Sequence, residues 1–136
     1  MRNTRDTFLH FLSDNLVGIP VRGVWRSPNV PDGDLIQNNS VNVTFLDGTF
    51  STHVSKQLCM IDVVNSDELT AIDWTDTLWA LLSLRCFTPQ LDYTIPSAPV
   101  PTGSNVMWPM SNIRFTPIKD DYYFRYSCRL ALQNQS

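Results

Sequence analysis

The residues of this chain that could do chemistry are two histidines, three cysteines and a scatter of aspartates. Acid–base catalysis needs a proton-transfer group held within hydrogen-bond reach of a partner that tunes it. Asp73 and Asp76 come nearest to a carboxylate pair, three residues apart on one face of a helical segment. Ala80 and Ser83 share that face, so it reads as solvated rather than as a pocket. Asp62 interrupts an apolar run and reads as a paired or edge-facing carboxylate rather than a catalytic one. His10 lies off the apolar stripe of its helix and is expected to face solvent. His53 has no carboxylate or cysteine beside it on its strand. Cys59, Cys86 and Cys128 are widely spaced, without a CxxC pair, and sit among apolar residues. They read as buried free thiols in a reducing compartment, not as a zinc or redox site. There is no glycine-rich phosphate loop, no GxSxG turn and no helical HExxH. The expectation is therefore a protein with no catalytic residue, no cofactor and no metal.

Composition points the same way. The chain of 136 residues is expected to form one domain, 1–136. Charged residues make up 17%, below the roughly 25% usual for soluble domains. With 11% aromatics, this hints at surface meant to be covered by protein. The formal net charge is −3, and no basic run or arginine-rich face is visible. A dedicated nucleic-acid binder is not expected, although an acidic wall can still line a passage for DNA without holding it. The charged start, Met1 to Asp6, is not followed by an apolar run of signal-peptide length, and no segment is apolar for long enough to span a bilayer. The expected setting is a cytoplasm, or release from one by lysis.

The elements that must position these residues follow from periodicity. Residues 3–16 predict a helix capped by Asn3 or Thr4, with Phe8, Phe11, Leu12 and Leu16 inward, ended by Gly18 and Pro20. Residues 20–26 predict a short strand, followed by a long turn-rich loop from Ser27 to Ser40. Asp47-Gly48 is a two-residue hairpin signature. Folding there sets Phe45 opposite Phe50, Val43 opposite Thr52 and Val41 opposite Val54. The returning strand continues, with a bulge expected at 55–57, into Leu58–Val64, which is apolar on both faces and reads as central. Ser66 is expected to cap a second helix running to Arg85. Its predicted stripe is Ala71, Ile72, Thr75, Leu78, Trp79 and Leu82, while Trp74 and Leu81 widen the apolar arc and call for a further cover. Pro89, Pro96, Pro99, Pro101 and Gly103 mark residues 88–104 as a proline-stiffened loop. Residues 112–118 predict a strand with Ile113 and Phe115 inward, and Lys119-Asp120-Asp121 turns the chain. The alternation from Asp121 to Gln133 predicts a long final strand with Tyr122, Phe124, Tyr126, Cys128, Leu130 and Leu132 on its buried face. That places the three aromatics in a core, not on a platform for RNA bases. The sum is an α+β domain: an antiparallel sheet, two main helices on one side and a long proline-rich loop.

Three blocks carry a resemblance: Val41–Leu46 turning into a strand that ends Met60–Val64, the helix opening Ser66-Asp67-Glu68-Leu69 directly after it, and the terminal pair with the alternating Tyr122–Leu132 strand. In this order, with the N-terminal helix containing Thr4-Arg5-Asp6, the chain resembles the tail terminator, or tail completion, proteins of long-tailed bacteriophages. The resemblance implies a small α/β subunit that closes into a ring of six. Such a ring caps the tail tube, joins it to the head-side connector or neck proteins, and lets genomic DNA pass through its lumen without specific binding. It implies a virion location and no membrane partner. Another neck ring, a head–tail adaptor or stopper, is the alternative within virion proteins. A small cytoplasmic enzyme or ligand-binding domain is the alternative outside them. For a ring, the expected contact residues are Trp25, Pro28 and Pro31 in and beside the first loop, Trp74 and Leu81 on the second helix, and Pro96, Pro99 and Trp108 in and after the second loop. Tryptophan is enriched where interfaces concentrate their energy.

Overall fold

A computed structural model describes residues 2–24, 36–50, 54–87, 91–93, 105–109 and 113–135. The chain runs α1 (Arg2–Asn15), β1 (Val21–Val24), β2 (Ser40–Phe50), β3 (Val54–Asn65), α2 (Glu68–Phe87), β4 (Leu91–Tyr93), β5 (Asn105–Pro109), β6 (Thr116–Ile118) and β7 (Phe124–Gln135). The strands form one sheet in the order β1-β2-β3-β7-β5-β4, and β6 also pairs with β7. β5 and β6 lie along the same strand in tandem: Val106–Pro109 against Gln135–Leu132, and Thr116–Ile118 against Ser127–Arg125.

The sheet is mixed rather than antiparallel. β1 runs parallel to β2, from Val21 opposite Val41 to Val24 opposite Thr44. Parallel neighbours need a crossover of a dozen or more residues, and the long turn-rich segment after β1 supplies that length. The remaining pairings are antiparallel. β4 falls inside the segment expected to be a proline loop; Pro96 and Pro99 lie outside the described residues, as do Trp25, Pro28 and Pro31.

The hairpin exists, but its turn is not at Asp47-Gly48. β2 continues through these residues, and Val41, Val43 and Phe45 pair with Val63, Ile61 and Cys59. The register shifts between Phe45, opposite Cys59, and Gly48, opposite Gln57. Leu46 and Asp47 thus face the single residue Leu58, a β-bulge on β2 rather than on β3. An Asp-Gly pair serves a turn or a bulge equally well. The longer apolar match, running to Val63, decides between them. The bulge is held by a buried side chain: Gln57 Nε2 donates to the Leu46 carbonyl at 3.0 Å and to the Leu58 carbonyl at 2.7 Å. Arg5 Nε donates to Gln57 Oε1 at 2.9 Å, and its guanidinium lies 5.3 Å from the centre of the Phe45 ring. These contacts tie α1 to the sheet at the irregular point.

Both helices pack on one face. Phe8, Phe11 and Leu12 of α1, Leu16 just after it, and Leu78 and Leu82 of α2 meet Val41, Val43, Phe45, Cys59, Ile61, Val63, Cys128, Leu130 and Leu132 in a single core. α1 starts at Arg2, so Asn3 and Thr4 lie in its first turn and do not cap it. It ends where expected: Gly18 adopts φ +77°, the left-handed conformation favoured at helix C-termini. α1 also crosses β1 closely, so that a Cβ on Gly23 would lie 2.8 Å from Leu9 Cδ1. The α2 cap is Asp67, one residue beyond the expected Ser66. Its Oδ2 accepts from the Thr70 amide at 3.0 Å and the Thr70 hydroxyl at 2.6 Å.

Candidate functional site

The helix-covered face is settled by packing, so functional surface has to be sought elsewhere. Trp74 and Leu81 find part of their cover within the subunit. Both are half-buried against the core, and the inward stripe of α2 is Ala71, Trp74, Thr75, Leu78, Leu81 and Leu82. Trp79, expected inward, is 51% exposed and spends its polar edge on an Nε1 donation to the Ile113 carbonyl at 3.2 Å. The stripe is rotated toward Trp74 because Ala71, Thr75, Leu78 and Leu82 sit deepest and Trp74 and Leu81 flank them. Trp108 lies in β5, and its backbone pairs with Gln133. Of the expected contact residues, Trp74 and Leu81 are half-buried against the core, and Trp25, Pro28, Pro31, Pro96, Pro99 and the Trp108 side chain lie outside the described residues.

The β6–β7 turn carries the surface that sequence reasoning placed in the core. Tyr122 is 82% exposed, Phe124 is 42% exposed, and Tyr123 and Ile118 are exposed beside them. Alternation reports which face a side chain takes, not how far the cover extends. The buried rows end at Val63 opposite Tyr126, and Phe124 pairs with Asn65, the last residue of β3. The turn itself is built by Asp120, whose Oδ1 accepts from the amides of Tyr122 at 2.9 Å and Tyr123 at 3.3 Å. Ile113 and Phe115 do point inward as expected. Between them and α2 lies a cavity of about 390 Å³ lined by Ile72, Trp79, Phe115 and Tyr126 with Asp76 and Arg114 at its polar margin.

The opposite sheet face is polar in register. Arg22, Asn42, Asp62, Ser127 and Thr116 stand side by side across β1, β2, β3, β7 and β6. Asn42 is fully buried; its Oδ1 accepts from Arg22 Nη1 at 3.2 Å and the Gln37 amide at 3.0 Å, and its Nδ2 donates to the Gln37 carbonyl at 3.0 Å. Asp62 is also fully buried. Its Oδ1 accepts from Arg125 Nε at 2.8 Å, and its Oδ2 has no hydrogen-bond partner among the described residues. The expectation of a paired carboxylate holds. Next to this pair is a cavity of about 550 Å³ lined by Arg114, Arg125, Arg129, Thr116, Ser127, Met60 and Ile118. No basic run foretold it, because these arginines reach one cavity from a connecting segment and from one face of β7.

Asp73 and Asp76 are exposed, His10 is half-buried on α1, and His53 lies outside the described residues. Cys59 and Cys128 are buried free thiols. Burial first, and Cys128 nearby second, push the Cys59 thiol well above its ordinary range. The Cys86 side chain lies outside the described residues. Among the described residues no histidine, cysteine or acidic side chains gather in a group of three that could hold a metal ion, and no helix is long and apolar enough to cross a membrane. No protein-family model matches the chain, and a comparison with curated proteins finds no match in sequence.

Proposed function

We propose that this chain is a structural protein of a tailed-bacteriophage virion, forming a ring at the top of the tail that ends the tail tube and joins it to the head-side connector. Support comes from the order of elements that carries the resemblance: a long β2–β3 pair, α2 entered within three residues of β3, and a long β7 returning beside β3. The observation that carries an assembly role is the exposed apolar turn, Ile118, Tyr122, Tyr123 and Phe124. Apolar side chains gathered at one place on a surface mark contact with another macromolecule. A closed ring needs two unlike surfaces, since its contacts run head to tail. The convex β6–β7 turn and the concave apolar cavity beside Trp79 and Phe115 differ in this way. The ring reading therefore adds the β6–β7 turn to the expected contact residues.

The test is the mass of the assembly, measured by light scattering on the purified chain alone and with tail tubes. The expected result is a ring, of six subunits, in one of the two conditions. Phe124→Asp and Tyr122→Asp should shift that mass to the monomer while leaving the melting temperature within a few degrees. A strict monomer in both conditions and in finished virions overturns the proposal.

A further inference from the structure

We propose that the arginine-lined cavity and the adjoining aromatic turn form a binding site for single-stranded nucleic acid, with phosphates in the cavity and bases on the aromatic rings. The proposal and the ring reading use the same aromatic turn, so it applies to a subunit whose β6–β7 turn no neighbouring copy covers.

Three of the chain's eight arginines line this cavity, and no acidic side chain does. Arg114 and Arg129 are exposed, and their guanidinium groups make no hydrogen bond or ion pair with a described residue. Arg125 is aimed by Asp62. One N–H, from Nε, is committed to the buried carboxylate, and its four terminal N–H groups have no partner among the described residues. A guanidinium held through Nε by a buried carboxylate presents its terminal fork already oriented for an oxyanion. Asp62 neutralises one of the three positive charges, which leaves about two for an incoming ligand. Ser127 adds a hydroxyl to the same wall, while the Thr116 hydroxyl donates to the Ser127 carbonyl at 3.4 Å, so the donors facing a ligand are chiefly the guanidinium groups. Cavities of this size take a ligand body rather than a bare ion.

The second half of the site shares Arg125. It also lines the neighbouring depression of about 310 Å³, together with Tyr122, Tyr123, Phe124, Lys119 and the carboxylates Asp120 and Asp121, so the cationic part of the site is the arginine cavity and this part offers rings. The Tyr122 and Tyr123 rings are 6.3 Å apart and tilted by 56°, so both cannot stack on one base and each offers its own face. A cationic groove beside exposed aromatic rings is the arrangement that holds a single strand without reading its sequence. The net charge of −3 does not by itself oppose this, because no acidic side chain lines the arginine cavity; the nearest acids are Asp120 and Asp121 in the adjoining depression and Asp76, which shares another cavity with Arg114.

The experiment measures the affinity of the full chain for a ten-nucleotide oligothymidylate and for inorganic pyrophosphate, between about 50 and 200 mM salt. The expected result is binding of the oligonucleotide with a log–log salt slope near −2, from roughly three phosphate contacts at about 0.7 each. Arg129→Gln and Arg114→Gln should each flatten the slope by about 0.7, and Tyr122→Ala should weaken binding by about tenfold with the slope unchanged. All three side chains are exposed, so the melting temperature should stay near that of the parent. Absence of oligonucleotide binding at the lowest salt overturns the proposal, as does an Arg114→Gln/Arg129→Gln double variant that binds like the parent. Pyrophosphate bound as tightly as the oligonucleotide, with Tyr122→Ala silent, overturns the strand in favour of a small anion.

Discussion

Asp62 and Arg125 are the residues on which the sheet's polar face turns, and their burial differs. Asp62 is fully enclosed, whereas the Arg125 side chain keeps 20% of its surface in water. Removing one partner of a buried pair leaves the other's charge uncompensated, at roughly 3–5 kcal/mol when both are enclosed. Arg125 can turn its exposed end to solvent; Asp62 cannot. Arg125→Ala should therefore cost about 3 kcal/mol, and Asp62→Ala distinctly less, as measured by denaturant unfolding of the two variants side by side. Equal losses would mean that the carboxylate reaches water. At this scale the sequence was partly legible. An aspartate inside an apolar run announces a partner, but the partner is 63 residues away and is fixed only by the β3–β7 register. The same distance hid the arginine cavity, since Arg114, Arg125 and Arg129 form no run that a reading along the chain would notice.

Among the elements, α2 shows how capping and charge combine. The two Thr70 hydrogen bonds, side chain first and backbone second, hold the Asp67 carboxyl below its ordinary value of 3.8. A carboxylate whose pKa falls on folding contributes stability that is complete above the unfolded value. That stability is lost as pH drops through the lower folded value. Asp67→Ala should thus melt earlier than the parent at pH 7, and the gap should close as the pH is taken below about 3.8. Thermal melts at several pH values check this, and a gap that widens in acid would remove the carboxylate from the cap. Helix positions, the central place of β3 and the inward sides of Phe8, Ile113 and Leu130 could all be read from period and punctuation. The errors have particular causes. Asp47-Gly48 satisfies a turn and a bulge alike. Parallel pairing of β1 depends on where the connection returns, which local pattern does not encode. The stripe of α2 is apolar over so wide an arc that Trp74 and Trp79 could exchange roles until packing chose between them.

For the whole molecule, the feature with the longest reach is that β3, at the centre of the sheet, pairs on one side with β2 and on the other with β7. The first pairing is local and the second spans residues 66–123. Closing a loop of that length costs roughly 3–4 kcal/mol of chain entropy before any contact rewards it. The β2–β3 hairpin can therefore form early, but its β3 edge must wait for β7. During that wait Cys59, Ile61 and Val63 are only partly covered and a row of backbone donors and acceptors stands open, a template for a second chain. Folding dominated by such distant pairings is slow, on the order of milliseconds to seconds. Refolding by dilution should show a yield that falls as protein concentration rises, and a separate peptide spanning residues 121–136, added at the start, should restore it by filling the open edge. A yield independent of concentration would mean that β7 closes before neighbouring chains can meet. The strand that completes the core is thus also the step at which a crowded cell can divert the chain into aggregates.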